Sequence, residues 1–321
     1  MSTLLLAALM FGSCLFNAAA VAQSPASPTI TVIVPYPGGS AGDVLARTMT
    51  QVISEQTGQS FVVDNKPGAS MAIGMRAGAQ ARPDGTTILF TSAAAMALAP
   101  AMKRSLPYDP IKSYEPIALT LVSPLYLAVR KNFPAETAKE LIDVIRSAPG
   151  KFTYGTGGPG SISHFAGELL KERANLDIVP VPYPGAGPAL RDVVSGHIDM
   201  TFTGAALAVA DQVKLLATTG ASRTAAVPHL PAIGELGVRD YNVASWFGFL
   251  APAETPRDAI DKMAGAIKRA FDSGAVSKRL HEINNDAELV MLGPDAFRAF
   301  IAKEIPLWQE LVRLTKLPIE N

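Results

Sequence analysis

From residue 29 onward the hydrophobic positions switch between two periods. Residues 29–34 form a short β-branched run ending at Pro35, and residues 43–56 then place Leu45, Met49, Val52 and Ile53 on one helical face before Gly58 stops the helix. Strands are expected again at 61–64 and 87–91, with turns at Lys66-Pro67-Gly68 and Asp84-Gly85, and residues 92–95 lead into a further helix. A second set begins near Pro124. It reads as strand 125–130, helix 138–147, strand 151–154, a glycine-rich turn at 155–160, helix 163–173, strand 178–181, helix 188–195 and strand 199–202. Residues 243–250 make one more strand and helices close the chain, with Pro306 expected to kink or split the last one between 297–305 and 307–314. Strands alternating with helices predict βαβ units and a mostly parallel sheet. Two such sets without a flexible linker predict an α/β protein of two lobes joined by crossing strands.

Composition narrows the classes of function. Lys+Arg and Asp+Glu both total 28 in 321 residues, so the basic surplus of a nucleic-acid binder is missing. Residues 1–22 differ from the rest: apolar runs at 4–10 and 11–16 lead to small residues at 18–22. Ala20-Val21-Ala22 fits the cleavage pattern of a signal peptide, with Gln23 as the new N-terminus and export from the cytoplasm as the expectation. Met1-Ser2-Thr3 carries no Lys or Arg, so the usual basic start of such a segment is absent. The only cysteine, Cys14, lies inside the segment, where it reads as a small apolar residue and not as a lipid attachment point. Cleavage leaves no thiol, which excludes disulfides and thiolate catalysis from the mature chain.

In open α/β sheets, ligands bind where loops leave the carboxyl ends of strands. Three loops occupy such places: 35–42, 91–94 and 155–163. The first runs Pro35-Tyr36-Pro37-Gly38-Gly39-Ser40-Ala41-Gly42 directly into a helix. Glycines expose backbone N–H groups, and a helix start adds partial positive charge, so an anion can be held without Lys or Arg. Gly155 to Gly160, followed by Ser161 and Ser163, repeats the device. Facing each other, the two loops would hold both ends of a dicarboxylate, or one carboxylate and a polar tail. The bland alternative is that they are only tight βα turns. Gly155-Thr156-Gly157-Gly158-Pro159-Gly160 also matches a dinucleotide fingerprint, but Asp177 precedes the strand whose end should carry the ribose acid, and Pro159 sits where the helix should begin.

Catalytic and metal constellations are thin. His164, His197, His229 and His281 lack metal-ligand spacing, and no nucleophile elbow, phosphate loop or zinc-helix motif occurs. His164 stands beside Ser161 and Ser163, but neighbours on one helix turn point apart, so it reads as a polar wall and not as a general base. Asp43 reads as the cap of the first helix, facing the loop backbone. Neither cofactor nor metal is expected.

These residues carry a resemblance. Val34-Pro35-Tyr36-Pro37 with Gly39, Asp43-Val44-Leu45-Ala46-Arg47, Asn65-Lys66-Pro67-Gly68-Ala69, Pro83-Asp84-Gly85-Thr86, Leu106-Pro107-Tyr108-Asp109-Pro110, Tyr154-Gly155-Thr156-Gly157 and Ser245-Trp246-Phe247-Gly248 occur in order. The chain resembles the tripartite tricarboxylate transporter receptors (TctC-like, or Bug, proteins). The resemblance implies a type II periplasmic binding protein fold, with 29–123 plus 247–321 as one lobe and 124–246 as the other. It also implies a monomeric solute receptor that is not an enzyme, whose partners are membrane permease subunits and whose first loop and second-lobe glycine loop contact a carboxylate. The candidate contacts are Tyr36, Pro37, Gly38, Gly39 and Ser40 in the first loop, and Ser92 with Ala93 in the second. Thr156, Gly157, Ser161, Ser163 and His164 come from the third, and Ser70 and Thr203 stand at further positions of the family pattern.

Several positions depart from that pattern. Ser40 replaces a glycine, Gly42 a threonine and Pro184 a frequent lysine; Ser70-Met71-Ala72 stands for Gly-Gly-Asn, and Thr203-Gly204 follows Phe202 where an aspartate is frequent. The pocket loses polarity, so an aromatic or otherwise partly apolar carboxylate is expected over citrate or aspartate. A ligand sensor for a membrane signalling partner is the alternative, and a hydrolase-class enzyme a more distant one.

Overall fold

The computed structural model describes residues 28–282 and 287–316; the predicted signal segment and Cys14 lie outside the described residues. The chain begins with β1 (Ile30–Val34), α1 (Ala41–Thr57), β2 (Phe61–Asn65), α2 (Ala72–Ala79) and β3 (Thr87–Ser92). In α1, Leu45, Met49, Val52 and Ile53 share one face and none is more than 3% exposed. Burying each such side chain contributes about 1.5–3 kcal/mol. Ser40 caps the helix by accepting from the Asp43 N–H at 3.4 Å, and Gly58 ends it at φ 70°, a conformation open to glycine at no steric cost. A π-helical turn (Ala94–Leu98) then runs into α3 (Ala99–Met102) and the long β4 (Tyr114–Pro124).

After β4 the chain changes sheets. Leu125 alone separates it from β5 (Tyr126–Arg130), the first strand of a second sheet. That sheet and its helices comprise α4 (Ala138–Ser147), β6 (Phe152–Thr156), α5 (Ile162–Ala174), β7 (Ile178–Pro182), α6 (Ala186–Ser195), β8 (Met200–Thr203) and β9 (Val213–Thr218). Residues 219–243 return to β10 (Ala244–Pro252), and α7 (Arg257–Asp272), α8 (Ala275–Glu282), β11 (Glu288–Leu292) and α9 (Pro294–Thr315) follow. The strand orders are β11-β4-β10-β3-β1-β2 and β7-β6-β8-β5-β9.

Two expectations need correction. The sheets are mixed, not mostly parallel. β1 lies parallel to β2 and β3, and β6 to β7 and β8, but β10 is antiparallel to β3 and β4, and β5 to β8 and β9. Two of the reversed strands, β5 and β10, enter a sheet from the other one without the helical return that makes neighbours parallel; β11, also antiparallel to β4, adds a third at the sheet's edge. Nor does Pro306 split the last helix, since α9 runs unbroken through it. Proline removes a single N–H there, and the flanking side chains Ile301, Glu304, Trp308 and Leu311 are all buried, which holds the helix in place.

Thr219 ties the two crossings together. Its N–H donates to the Leu125 carbonyl at 2.9 Å, and its carbonyl accepts from the Val243 N–H at 2.9 Å. Its hydroxyl accepts from the Leu125 N–H at 2.8 Å and donates to the Val243 carbonyl at 2.6 Å. The residue is 0% exposed, so each of these groups replaces a bond to water that is out of reach.

The registers fix which edges meet at the crossings. β4 runs parallel to β3 and β1, because β10 opposes both of its neighbours, so Val34, Ser92 and Pro124 all end at the same sheet edge. In the second sheet Tyr126 pairs with Thr203 and with Thr218, and β6 runs parallel to β8. Thr156 and Thr203 therefore also leave their strands at the crossing edge.

Replacing Thr219 with valine keeps the shape but orphans the Leu125 N–H and the Val243 carbonyl. We expect a loss of about 1–3 kcal/mol in unfolding free energy, read by urea denaturation with an unchanged slope. A loss below about 0.5 kcal/mol would show that the clasp is incidental.

Candidate functional site

The first loop is braced from beneath. Gly42 has no Cβ, and one added there would meet the Tyr36 ring at 2.5 Å, so the ring lies directly under the first turn of α1. Its hydroxyl is hydrogen-bonded to Ser92 Oγ at 2.5 Å, which joins the ends of β1 and β3. Burial, only partly offset by that bond and by Thr91, pushes the Tyr36 phenol up to about 12, so it stays a neutral hydrogen-bonding group. Phe247 of β10 packs beside it at 6.3 Å between centroids and stacks on Phe90 at 5.6 Å. The floor of the loop is thus aromatic with a hydroxyl rim.

Asp43 does not cap α1; Ser40 does. As expected, however, the aspartate faces the loop backbone, accepting from the Gly39 N–H at 2.8 Å. Arg47 Nε at 2.9 Å and Asn65 Nδ2 at 2.9 Å also donate to it, and Asn65 Nδ2 reaches the Tyr36 carbonyl at 3.1 Å. Burial works against ionisation of Asp43, but these donors outweigh it and hold the carboxyl below the usual carboxylate range. One part of the sequence reading is altered here. The Gly39 N–H belongs to Asp43 and the Ser40 N–H to the Pro37 carbonyl at 3.2 Å, so neither is a spare donor.

The glycine loop of the second sheet is satisfied internally in the same way. Gly157 N–H donates to Ser163 Oγ at 2.8 Å, Gly158 N–H to Thr156 Oγ1 at 3.2 Å and Gly160 N–H to His164 Nδ1 at 3.2 Å. Ser161 caps α5, accepting from the His164 N–H at 3.3 Å, and its Oγ is bonded to Ser163 Oγ at 3.1 Å. The ring of His164 accepts at Nδ1, which places its proton on Nε2. Burial holds its pKa below the ordinary value, against a smaller opposing pull from Glu168. The ring is therefore neutral near pH 7 and engaged with Gly160, not poised as a base for either serine. What this loop offers outward is hydroxyl groups and an imidazole, more than bare amides.

The remaining candidates vary in position. Pro37 and Gly38 are exposed on the first loop. Ala93 is 0% exposed and its methyl belongs to the core, leaving only its backbone for any contact. Thr156 and Thr203 are buried at the ends of β6 and β8. Ser70 is exposed at φ 51° within a left-handed run from Gly68 to Met71; it lies in the turn after β2, the outermost strand, away from the crossings. The sequence reading missed Phe247, Asn65 and Arg47 as parts of this floor. All three sat in quoted matching segments, which was the signal available. Among the described residues, no group of three or more His, Cys, Asp or Glu side chains is placed to hold a metal ion, and no helix is long and apolar enough to cross a membrane.

Two mixed α/β sheets, joined by paired crossings and carrying polar helix-start loops along the shared edge, form a type II periplasmic binding protein fold. Residues 45–317 match the family described as "Tripartite tricarboxylate transporter family receptor", and the chain belongs to that family. Protein BugT of Bordetella pertussis is 31% identical over 296 residues, covering 91% of this chain and 90% of BugT. An R. palustris protein solved with adipate is 31% identical with a TM-score of 0.71, covering 91% of this chain and 98% of its own. MatC from Rhodopseudomonas palustris, with bound malate, is 29% identical with a TM-score of 0.66, covering 89% and 99%.

A pH prediction follows from His164. Its folded-state pKa lies below the value of about 6.5 in an unfolded chain, so the unfolded state takes up the proton first as pH falls. The stability it contributes is complete above about 6.5 and is lost as pH drops from there through the folded value. His164→Gln should flatten that acid limb in melts between pH 7 and 5. An unchanged limb would mean another group causes it.

Proposed function

We propose that this chain is a periplasmic receptor that captures a small, partly apolar carboxylate and delivers it to the membrane subunits of a tripartite tricarboxylate-type transporter. The observation that carries this reading is the convergence of the two polar helix-start loops on the edge where both sheets meet. In it, the lobes 29–123 plus 247–321 and 124–246 close on the ligand about the crossings held by Thr219. Tyr36, Pro37, Gly38, Ser40, Ser92 and the backbone of Ala93 contact one end of the ligand. Thr156, Gly157, Ser161, Ser163, His164 and Thr203 contact the other, and Ser70 lies at the rim; Gly39 serves by holding the loop's shape.

The chemistry supports a ligand with an apolar middle. The donors are hydroxyl groups, a neutral imidazole Nε2–H and helix starts, and the Arg47 guanidinium beside the first loop is committed to Asp43 and Asn65. The wall between them carries Tyr36 and Phe247. The relatives solved with adipate and malate hold carboxylates of two acid groups, and adipate has the longer apolar spacer. Receptors, not enzymes, make up this family, and the engagement of His164 with Gly160 supports the same reading here.

A thermal-shift screen of the mature protein tests it. A ligand at one hundred times its Kd adds about 2.7 kcal/mol. Adipate or an aromatic dicarboxylate should raise the transition more than citrate or aspartate does; a response to sugars or amines with none to carboxylates would sink the proposal. Tyr36→Phe removes the hydroxyl and keeps the ring, and should weaken the best carboxylate about tenfold, or ~1.4 kcal/mol, by calorimetry.

A further inference from the structure

A second space lies behind the crossings. A solvent-open pocket of about 180 Å³ is lined by the end of β4, the start of the return segment, the start of β10, β11 and α9. Trp246 and Phe300 form its aromatic wall, edge to face at 5.8 Å. Glu304 and Glu288 supply two carboxyls, and Asn242 and Ser222 add polar atoms from the return segment. Among the described residues, no Lys, Arg or His lines it.

Glu304 is the unusual member. It is 6% exposed, and its Oε2 accepts from both indole N–H groups, Trp246 and Trp308, each at 3.0 Å. No donor to its other oxygen, Oε1, is found among the described residues. Burial raises this carboxyl, against the smaller opposing pull of the two indoles, and burial alone raises that of Glu288. Burial disfavours a carboxylate that no counter-charge reaches, and among the described residues this cavity's walls provide acceptors and aromatic faces but no cation.

We propose that the hinge cavity is a second binding site, taking a small organic cation of the alkylammonium class. The ammonium group donates to Glu304 Oε1 and the Glu288 carboxylate, and its carbons lie against Trp246 and Phe300, where the ring faces attract positive charge. The cation supplies the missing counter-charge and joins β11 and α9 to the crossing strand β10. This site is separate from the carboxylate cleft and does not depend on its ligand.

Calorimetry and tryptophan fluorescence on the mature protein at pH 8, with n-propylammonium chloride against sodium chloride at equal ionic strength, test the site. The expected result is saturable binding of propylammonium with a change in tryptophan emission, weakened at least tenfold in Glu304→Gln. Glu288→Gln should weaken it as well, and that partly exposed position keeps the test available if the Glu304 variant does not fold. Heats indistinguishable from those of sodium chloride, or propylammonium binding unchanged by the substitutions, overturn the proposal.

Discussion

The chain passes between its two sheets twice, and the four hydrogen bonds of Thr219 make those passages a single unit. Leu125 on the outward crossing and Val243 on the return are both bonded to this one residue, through its backbone and its hydroxyl. Strand directions follow from there. Because β4 leaves at its carboxyl end and β5 enters at its amino end, the loop-bearing edges of both sheets are brought to the same place. The positions of Tyr36, Ser92, Thr156 and Thr203 are consequences of that arrangement more than of any local preference.

The two loops themselves are pre-formed. Asp43 and Asn65 hold the first, Ser163 and His164 the second, and the bonds consume several amides that a bare glycine loop would leave open. Such a loop pays less ordering entropy on binding than a flexible one, and it presents a fixed set of hydroxyls. Gly42 has a corresponding role on the aromatic side, since its missing Cβ is the space into which the Tyr36 ring fits.

Much of this was legible in the sequence because local period and turn chemistry agree. α1, α4 and α5 follow apolar stripes with serine or threonine at their starts. The loops at 35–42 and 155–163 were visible from their glycines, and the family from its ordered matches. Other features were hidden because tertiary pairing decides them. β4 and β9 lack a clear period-two pattern, being buried on both faces or nearly so. α2 starts at a left-handed Met71 with no capping side chain, which gives no start signal. The antiparallel entry of β10 and the internal use of the Gly39 and Gly157 amides depend on partners distant along the chain or on side-chain reach that spacing does not show.

The insertion of β10 also sets an order of events during folding. The first sheet has this strand, residues 244–252, in its middle, between β3 and β4. The two halves of that sheet cannot be joined until residue 252 exists, whereas every strand of the second sheet is complete by residue 218. Pairings so far apart in sequence are slow to form because the loop entropy must be spent before any contact rewards it. The chain therefore carries an unfinished sheet, with open edges on β3 and β4, until β10 is in place.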